Sequence, residues 1–356
     1  MAAAAAPFGV YLHVPFCASK CDYCAFATWT DRHRLTDAYL AALRLDIERA
    51  VADGMPTATS IFVGGGTPSM VDGDALAEVI GLVPVTPEAE VTVECNPDNV
   101  TDELLGSYRR GGVNRISLGV QSMSSHVLGA LGRQHDQRNV RLAVESIRRV
   151  GMSSFNLDVI YGAAGETLDD WRHTVDAIVE LDPPHVSAYA LTIEAGTPLT
   201  DQPDRHPDDD DQADKYELVD DRLVAAGLTN YEISNWSRPG HECRHNVLYW
   251  RQQNYRGFGC AAHSHHDGRR WWNVRTPDRY IDLVERGEST EAAGETLDDA
   301  TRRFERLELQ LRMPEGVPTD ALDGDALPGL VERSGDRWVL TRRGRLMANE
   351  ISTRLT

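Results

Sequence analysis

Short apolar segments alternate with longer amphipathic segments through the first half of the chain. Strands are predicted at six apolar, β-branched segments, residues 9–14, 60–63, 91–95, 115–119, 155–160 and 185–190. Between them, helical periodicity predicts helices over residues 31–52, 74–82, 101–110, 139–150 and 168–181. Six buried strands separated by helices indicate an α/β fold with a parallel sheet, either open and doubly wound or curved into a partial barrel.

The chain changes character after residue 200. Residues 203–211 are rich in Pro and Asp and predict an exposed, solvated connector. The pattern then predicts a helix over 212–226, a strand over 231–234 and an aromatic, Gly- and His-rich segment that extends to residue 274. From residue 300 it predicts a helix, short strands over 330–332 and 337–340, and a helix over 342–353, which suggests a small winged-helix-like module.

Composition limits the classes of function. Hydrophobic residues make up 41% of the 356 residues, enough for a sizeable core. The net charge of −19 argues against a nucleic-acid partner, whose phosphates require clustered Lys and Arg. The sequence contains no apolar run of the roughly 18 residues that span a bilayer, so we expect no integral membrane segment. Residues 1–16 are apolar, lack a basic start and lead into a predicted strand, so we expect no signal peptide and a cytoplasmic location.

Three of the six cysteines lie within eight residues, directly after the first predicted strand. Cys17, Cys21 and Cys24 have the spacing C-x3-C-x2-C. Cys thiolates hold iron–sulfur clusters, and three of them would leave one iron of a four-iron cluster for a non-protein ligand. The amine and carboxylate of the methionine half of S-adenosylmethionine (SAM) offer such a ligand. The alternatives are a zinc site with His13 as fourth ligand, and a Cys21–Cys24 redox pair that would leave Cys17 unexplained.

Polar residues and glycines stand at the ends of the later predicted strands. Gly65, Gly66 and Thr67 follow the second strand, where glycines allow a backbone to approach a ligand closely. Glu94 closes the third strand, where a carboxylate could bind the hydroxyls or the amine of SAM; a helix-capping or surface acid is the alternative. Asp158 interrupts an apolar strand, where a charge is costly unless paired, and we expect Arg133 or a bound ligand as its partner.

The cysteine spacing, with Tyr23 before the third cysteine, resembles that of the radical-SAM superfamily. More narrowly, the segment YLHVPFC at residues 11–17 resembles the anaerobic coproporphyrinogen III oxidase family, which contains both the oxidase and a heme chaperone branch. The resemblance covers nearly the whole chain. It implies a partial (β/α)6, TIM-like radical-SAM barrel over residues 1–236, a heme-motif segment over 237–298, and a C-terminal α+β, winged-helix-like extension over 299–356.

The resemblance also implies ligands for three groups. A [4Fe–4S] cluster would bind Cys17, Cys21 and Cys24. The residues expected to contact SAM are Tyr11, Tyr23, Gly65, Gly66, Thr67, Glu94, Gln121, Arg133, Asp158 and Ala190. Among these, Arg133 would grip the SAM carboxylate with two bonds. The resemblance implies a scaffold able to cleave SAM and an electron donor that reduces the cluster.

The segment His245-Asn246-Val-Leu-Tyr249-Trp250 resembles a motif of the heme chaperone branch. It offers an imidazole for iron and two aromatic side chains to lie against a porphyrin. The alternative from the residues alone is a set of core aromatics with a capping histidine. Further along, His263, His265 and His266 are further candidates for an iron ligand.

Two departures separate this chain from the oxidase branch. That branch has a fourth cysteine two residues after the third, where Phe26 stands here. It also has a longer segment before the first strand. With the His245–Trp250 motif present, the resemblance favours a heme chaperone that binds heme and transfers it to an acceptor protein. The alternative is an oxygen-independent coproporphyrinogen III oxidase.

Overall fold

The computed structural model describes residues 6–356. Its centre is a sheet of parallel strands in chain order: β1 (Phe8–Val14), β2 (Ala58–Gly65), β3 (Val85–Cys95), β4 (Arg115–Gln121), β5 (Ser154–Tyr161) and β6 (His185–Ala190). Each strand pairs in parallel with the next. The prediction of six parallel strands is confirmed, and five of the six are longer than the apolar segments predicted.

Helices follow the first five strands. They are α1 (Thr36–Ala52), α2 (Gly73–Gly81), α3 (Asp102–Arg110), α4 (Ser125–Ala130), α5 (Gln137–Val150) and α6 (Leu168–Glu180). Side chains of Asp72, Thr101, Asp136 and Thr167 accept backbone N–H bonds at the helix starts, which fixes where these helices begin. Helix α4 was not predicted, because six residues are too few to show a helical period.

Strands from the second half of the chain extend this sheet on both sides. Beyond β6 lies β8 (Asn235–Ser237), which is antiparallel to β6, and then β7 (Thr229–Glu232), which is antiparallel to β8. Beyond β1 lies β9 (Asn254–Phe258), which is parallel to β1. The strands β10 (His263–His266), β11 (Arg269–Asn273) and β12 (Glu291–Thr296) follow, and each is antiparallel to the strand before it. The helices of this half are α7 (Asp209–Ala225), α8 (Arg244–Trp250) and α9 (Pro277–Arg286).

The sheet is open but strongly curved. Within residues 6–356 its edge strands, β7 and β12, are not paired with each other. Yet His185 on β6 and Trp272 on β11 line the same cavity, although seven strands lie between them in the sheet. Such an approach requires the sheet to curl around that cavity, so the partial barrel is correct rather than a flat, doubly wound sheet.

The chain ends in a smaller unit with its own sheet. Its elements are α10 (Asp299–Leu311), β13 (Val317–Pro318), β14 (Val331–Ser334), β15 (Arg337–Leu340), α11 (Arg342–Leu346) and α12 (Ala348–Ser352). Residues between Leu307 and Leu355 form a separate hydrophobic cluster. Arg342 and Arg345 each lie 3.2 Å from the buried Asp220 carboxylate on α7. The single predicted helix over 342–353 is two short helices, while the winged-helix-like character and the segment boundaries stay predictions.

None of the helices within residues 6–356 is both long and apolar enough to cross a membrane.

Candidate functional site

The three-cysteine segment is a closed loop between β1 and α1. The Cys17 N–H donates to the Trp29 carbonyl at 3.1 Å, and the Trp29 N–H donates to the Pro15 carbonyl at 2.8 Å. Cys17, Cys21 and Cys24 are all half-buried. Burial raises the pKa of the Cys17 and Cys24 thiols, so a metal that binds them must displace their protons.

The glycine loop after β2 lies against the cysteine loop. The Gly66 N–H donates to the Val14 carbonyl at 2.8 Å, and the Thr67 N–H donates to the Phe16 carbonyl at 2.7 Å. The Thr67 hydroxyl lies 3.7 Å from the Cys17 sulfur. A Cβ at Gly66 would stand 2.6 Å from the Phe16 carbonyl oxygen. The two loops therefore meet this closely because residue 66 has no side chain.

A distant segment also fixes the cysteine loop. The Arg205 guanidinium donates to the Asp22 carboxylate at 2.8 Å and to the Ala130 carbonyl at 2.7 Å. The Leu199 N–H donates to the Asp22 carbonyl at 3.1 Å. The prediction of a solvated connector over residues 203–211 is therefore wrong at Arg205, which ties the cysteine loop to α4.

A cavity of about 480 Å³ opens beside the cysteine loop. Its lining includes every residue predicted to hold the cluster or SAM except Tyr11, namely Cys17, Cys21, Tyr23, Cys24, Gly65, Gly66, Thr67, Glu94, Gln121, Arg133, Asp158 and Ala190. The carboxyl ends of β1–β6 bring these residues together, as expected for ligand sites of parallel sheets. Tyr11 lines a larger, neighbouring cavity instead.

Two carboxylates stand at the inner end of this smaller cavity. Glu94 accepts the Gly65 N–H at 3.2 Å, and burial together with the Asp158 carboxylate raises the pKa of Glu94 to about 8. Asp158 accepts bonds of 2.7 Å from both the Ser117 hydroxyl and the Asn156 amide. Burial raises the pKa of Asp158, against the opposing effect of these hydrogen bonds. Of the two partners expected for Asp158, Arg133 makes no hydrogen bond or ion pair with it within residues 6–356, and a bound ligand stays a prediction.

Arg133 also lines the smaller cavity. Its Nη2 donates to the Tyr23 hydroxyl at 3.5 Å, and its buried Nε has no hydrogen-bond partner within residues 6–356. An unpaired donor on a guanidinium favours an anionic group beside it. Nearby, Gln121 has a φ of 63° at a register shift of β4, a conformation that stores backbone strain at this edge of the sheet.

The larger cavity, about 950 Å³, occupies the inside of the curved sheet. Both cavities are bordered by Phe26, Glu94, Asp158 and Tyr189, so they share a wall. Aromatic side chains of Tyr11, Phe62, Tyr249, Tyr255 and Trp272 line the larger one. This volume lies at the upper end of the roughly 300–1,000 Å³ typical of ligand pockets.

Polar side chains on the inner faces of four strands form the floor of the larger cavity. Alternate positions point inward as pairs: Thr92 and Glu94, Arg115 and Ser117, Asn156 and Asp158, His185 and Ser187. Of these eight residues, only Glu94 and Asp158 are predicted from the sequence to contact a ligand. The signal for the rest was a polar residue at every second position of otherwise apolar strands, which indicates a solvated or ligand-facing inner surface.

The motif on α8 divides between the core and the larger cavity. His245 is fully buried, and its two ring nitrogens are hydrogen-bonded to the Ser60 hydroxyl at 2.9 Å and the Tyr249 hydroxyl at 2.7 Å. Burial lowers the pKa of His245 to about 3. Asn246 and Tyr249 line the larger cavity, whereas Trp250 does not. Both ring nitrogens of His245 are thus engaged and neither is open to iron. This geometry favours the alternative of a core histidine packed among aromatic side chains.

The geometry also argues against a zinc site at the cysteine loop. His13 donates from Nε2 to the Ala27 carbonyl at 2.9 Å and accepts the Tyr11 hydroxyl at Nδ1 at 3.1 Å. Within the part of the chain that the structure describes, no three His, Cys, Asp or Glu side chains converge on one metal ion. Cubane ligands need not converge in this way, because each binds a different iron.

The chain is similar to known proteins in both sequence and fold. The model of the Radical SAM superfamily matches residues 11–178. The solved structure of coproporphyrinogen III oxidase (HemN) from Escherichia coli superposes with a TM-score of 0.84 and 21% sequence identity, covering 98% of this chain and 89% of that one. At this identity the likeness establishes the fold, a HemN-like radical-SAM barrel.

Curated relatives match over nearly their full length. The heme chaperone HemW of Mycobacterium tuberculosis strain H37Rv is 41% identical over 97% of this chain and 94% of its own. HemW of Escherichia coli K12 is 35% identical, with 97% of both chains covered. HemW of Bacillus subtilis 168 is 33% identical over 96% of this chain and 97% of its own. The chain therefore belongs to the heme chaperone HemW family of the radical-SAM superfamily.

Proposed function

We propose that this chain is a heme chaperone, which binds a [4Fe–4S] cluster, SAM and heme and transfers heme to an acceptor protein. The observation that carries the proposal is the pair of adjoining cavities. The smaller has three thiols of one loop in its lining, and the larger is bounded by aromatic side chains. The HemW relatives support the same proposal, because they are named heme chaperones.

The cysteine loop has the donor set that a cubane cluster requires. Cys17, Cys21 and Cys24 would each bind one iron and leave the fourth for SAM. When reduced by an electron donor, a cluster of this kind supplies the electron that cleaves SAM. The chain's own contribution is to hold the loop in place, through the Trp29 and Arg205 contacts, and to keep the glycine loop against Cys17.

The smaller cavity supplies complementary groups for SAM. The unpartnered Nε of Arg133 suits the carboxylate of SAM. Glu94 suits a hydroxyl or amine donor, because a carboxyl group with a raised pKa accepts such bonds and also donates while protonated. Gly65, Gly66 and Thr67 let the backbone come close to the bound molecule.

The larger cavity would hold the heme. Tyr249 and the other aromatic side chains of its wall offer apolar contact to a porphyrin face, and Asn246 offers a polar contact. The heme acceptor would be a protein. We place the transfer of heme to this acceptor in the cytoplasm and expect no nucleic-acid partner.

The oxidase is the second candidate, and the HemN-like fold is the observation that favours it. The residue that favours the chaperone is Phe26, which stands where the resemblance places a fourth cysteine. Its side chain is 66% exposed and borders both cavities. An apolar side chain there contributes contact area rather than a sulfur ligand. Anaerobic conversion of coproporphyrinogen III to protoporphyrinogen IX would establish the oxidase.

The decisive experiment is a visible spectrum of anaerobically reconstituted protein before and after adding heme, followed by incubation with apo-hemoprotein. We expect cluster absorption first, a Soret band after heme is added, and loss of bound heme to the acceptor. Cys21→Ala should lose the cubane, while the matched control Cys95→Ala, which removes a core thiol, should keep it. Wild type that binds no heme, or a Cys21→Ala variant with full iron and sulfide content, would refute the respective assignments.

A further inference from the structure

Four histidines line the larger cavity, and three of them have both ring nitrogens engaged. His13 bonds to Ala27 and Tyr11, as described above. His185 bonds to the Asn156 amide oxygen at 2.6 Å and to the Tyr231 hydroxyl at 2.7 Å.

His265 has the same arrangement. It donates from Nδ1 to the Gln253 carbonyl at 3.0 Å and accepts the Gly268 N–H at Nε2 at 3.2 Å. His263 is the exception, since its ring has no hydrogen-bond partner within residues 6–356 while its side chain is exposed to the cavity. A ring nitrogen of His263 is thus available to a ligand without breaking an existing bond.

The strand pairing fixes where His263 points. It lies opposite Trp272 in the antiparallel β10–β11 pair, and the two rings stack at 5.6 Å with an interplanar angle of 26°. Paired residues share a face of the sheet, so His263, His265, Arg270 and Trp272 all face the cavity, and all four line it. His266 is on the opposite face of β10.

We propose that His263, rather than His245, ligates the iron of heme held in the larger cavity. The inference rests on the proposed heme binding and assigns its iron ligand. The lone pair of the unprotonated ring nitrogen forms the bond to iron, and no proton leaves the imidazole. Trp272 limits rotation of the His263 ring and presents an aromatic surface beside the porphyrin. Partial burial and the nearby Arg270 guanidinium lower the pKa of His263, which favours the neutral imidazole that metals bind.

The test is electron paramagnetic resonance of ferric heme titrated into the full-length, reconstituted protein labelled with ¹⁵N-histidine. Wild type should show hyperfine coupling of the iron to a histidine nitrogen. His263→Ala should lose this coupling and bind heme at least about tenfold more weakly. Added imidazole should restore nitrogen ligation in that variant. His266→Ala is the matched control, because it removes a histidine of the same strand from the other face, and it should behave as wild type.

The outcomes separate the two proposals. Because His263 makes no hydrogen bond within the described residues, His263→Ala should fold normally, which its circular dichroism spectrum checks. If wild type binds no heme, the proposed function and this inference both fail. If wild type shows histidine coupling that persists in His263→Ala, only the ligand assignment fails, and loss of that coupling in His245→Ala would move it to α8.

Discussion

The contact between the glycine loop and the cysteine loop gives the sharpest prediction from this structure. Gly66→Ala adds one methyl group where both loops meet. That Cβ would lie 2.6 Å from the carbonyl oxygen of Phe16, and 2.9 Å from both the Phe16 nitrogen and the Val14 carbonyl oxygen. Residue 66 does not have a positive φ, so the penalty is steric and not a matter of backbone conformation.

The magnitude follows from these distances. Ordinary contact begins at about 3.4 Å, so three backbone atoms would have to recede by about 0.5–0.8 Å. Overpacking costs about 1–3 kcal/mol, and each of the two loop-to-loop hydrogen bonds contributes about 0.5–1.5 kcal/mol. We expect the free energy of unfolding to fall by about 2–4 kcal/mol. This is a large part of the roughly 5–15 kcal/mol that stabilises a domain.

Urea unfolding of the ligand-free protein measures this loss, and iron and sulfide content after anaerobic reconstitution measures its effect on the cluster. Gly129→Ala is the matched control, since a Cβ there meets nothing within 4 Å among residues 6–356 apart from its chain neighbours and the backbone of its own helix. It should be neutral or stabilise by up to about 1 kcal/mol. Unchanged unfolding of Gly66→Ala, with full cluster content, would refute the steric argument.

Three further substitutions test other parts of the molecule. At Glu94 the folded protein, with a pKa of about 8, keeps a proton that the unfolded chain loses near 4.5. The free energy of unfolding of the ligand-free protein should therefore fall as pH rises between these values, by at most about 1.4 kcal/mol per pH unit. Glu94→Gln should flatten this decline. Stability curves of wild type and variant that run parallel over this pH range would contradict the assignment. Lys215→Met should lower stability by about 3–5 kcal/mol in urea, because it leaves the buried Glu166 carboxylate unpaired, and adding Glu166→Gln should recover part of the loss. A double variant as unstable as the single one would count against it. Arg205→Ala should cost only about 0.2–1 kcal/mol, because its pair with Asp22 is partly exposed, yet it should speed the loss of iron from reconstituted protein. An unchanged rate of iron loss would contradict the bracing role.

The parallel core was predictable because its signals are local. Each strand from β1 to β6 contains a short, largely apolar segment, and the caps at Thr101 and Thr167 mark helix starts directly in the sequence. The cysteine loop and the strand-end residues followed from the same logic. Parallel strands gather their carboxyl ends at one edge, so residues such as Gly66 and Glu94 meet there although they are distant in the chain.

In the second half, helix α7 and strands β7, β14 and β15 were also predictable to within a few residues, but the pairing of its strands with the central sheet was not, because those contacts are long-range. Strand β9 pairs with β1 across more than two hundred residues of chain. The order of apolar and polar residues in β9 and β10 does not indicate which edge of the sheet these strands join. Arg205 is another case. It lies in an acidic, Pro-rich stretch that is typical of a solvated connector, and only the fold brings its guanidinium to Asp22.

The motif on α8 shows why binding data alone will not identify the iron ligand. His245 is hydrogen-bonded to Tyr249, whose ring packs edge-on against Tyr255 at 4.6 Å, and both tyrosines line the larger cavity. Removing the His245 imidazole would leave the Ser60 hydroxyl and the Tyr249 hydroxyl without this partner and would loosen that wall. His245→Ala is therefore expected to weaken heme binding even if its imidazole never touches iron. A weakened affinity is common to a ligand and to a wall residue, whereas nitrogen coupling to the iron belongs to the ligand alone. The spectrum, and not the affinity, must decide between His245 and His263.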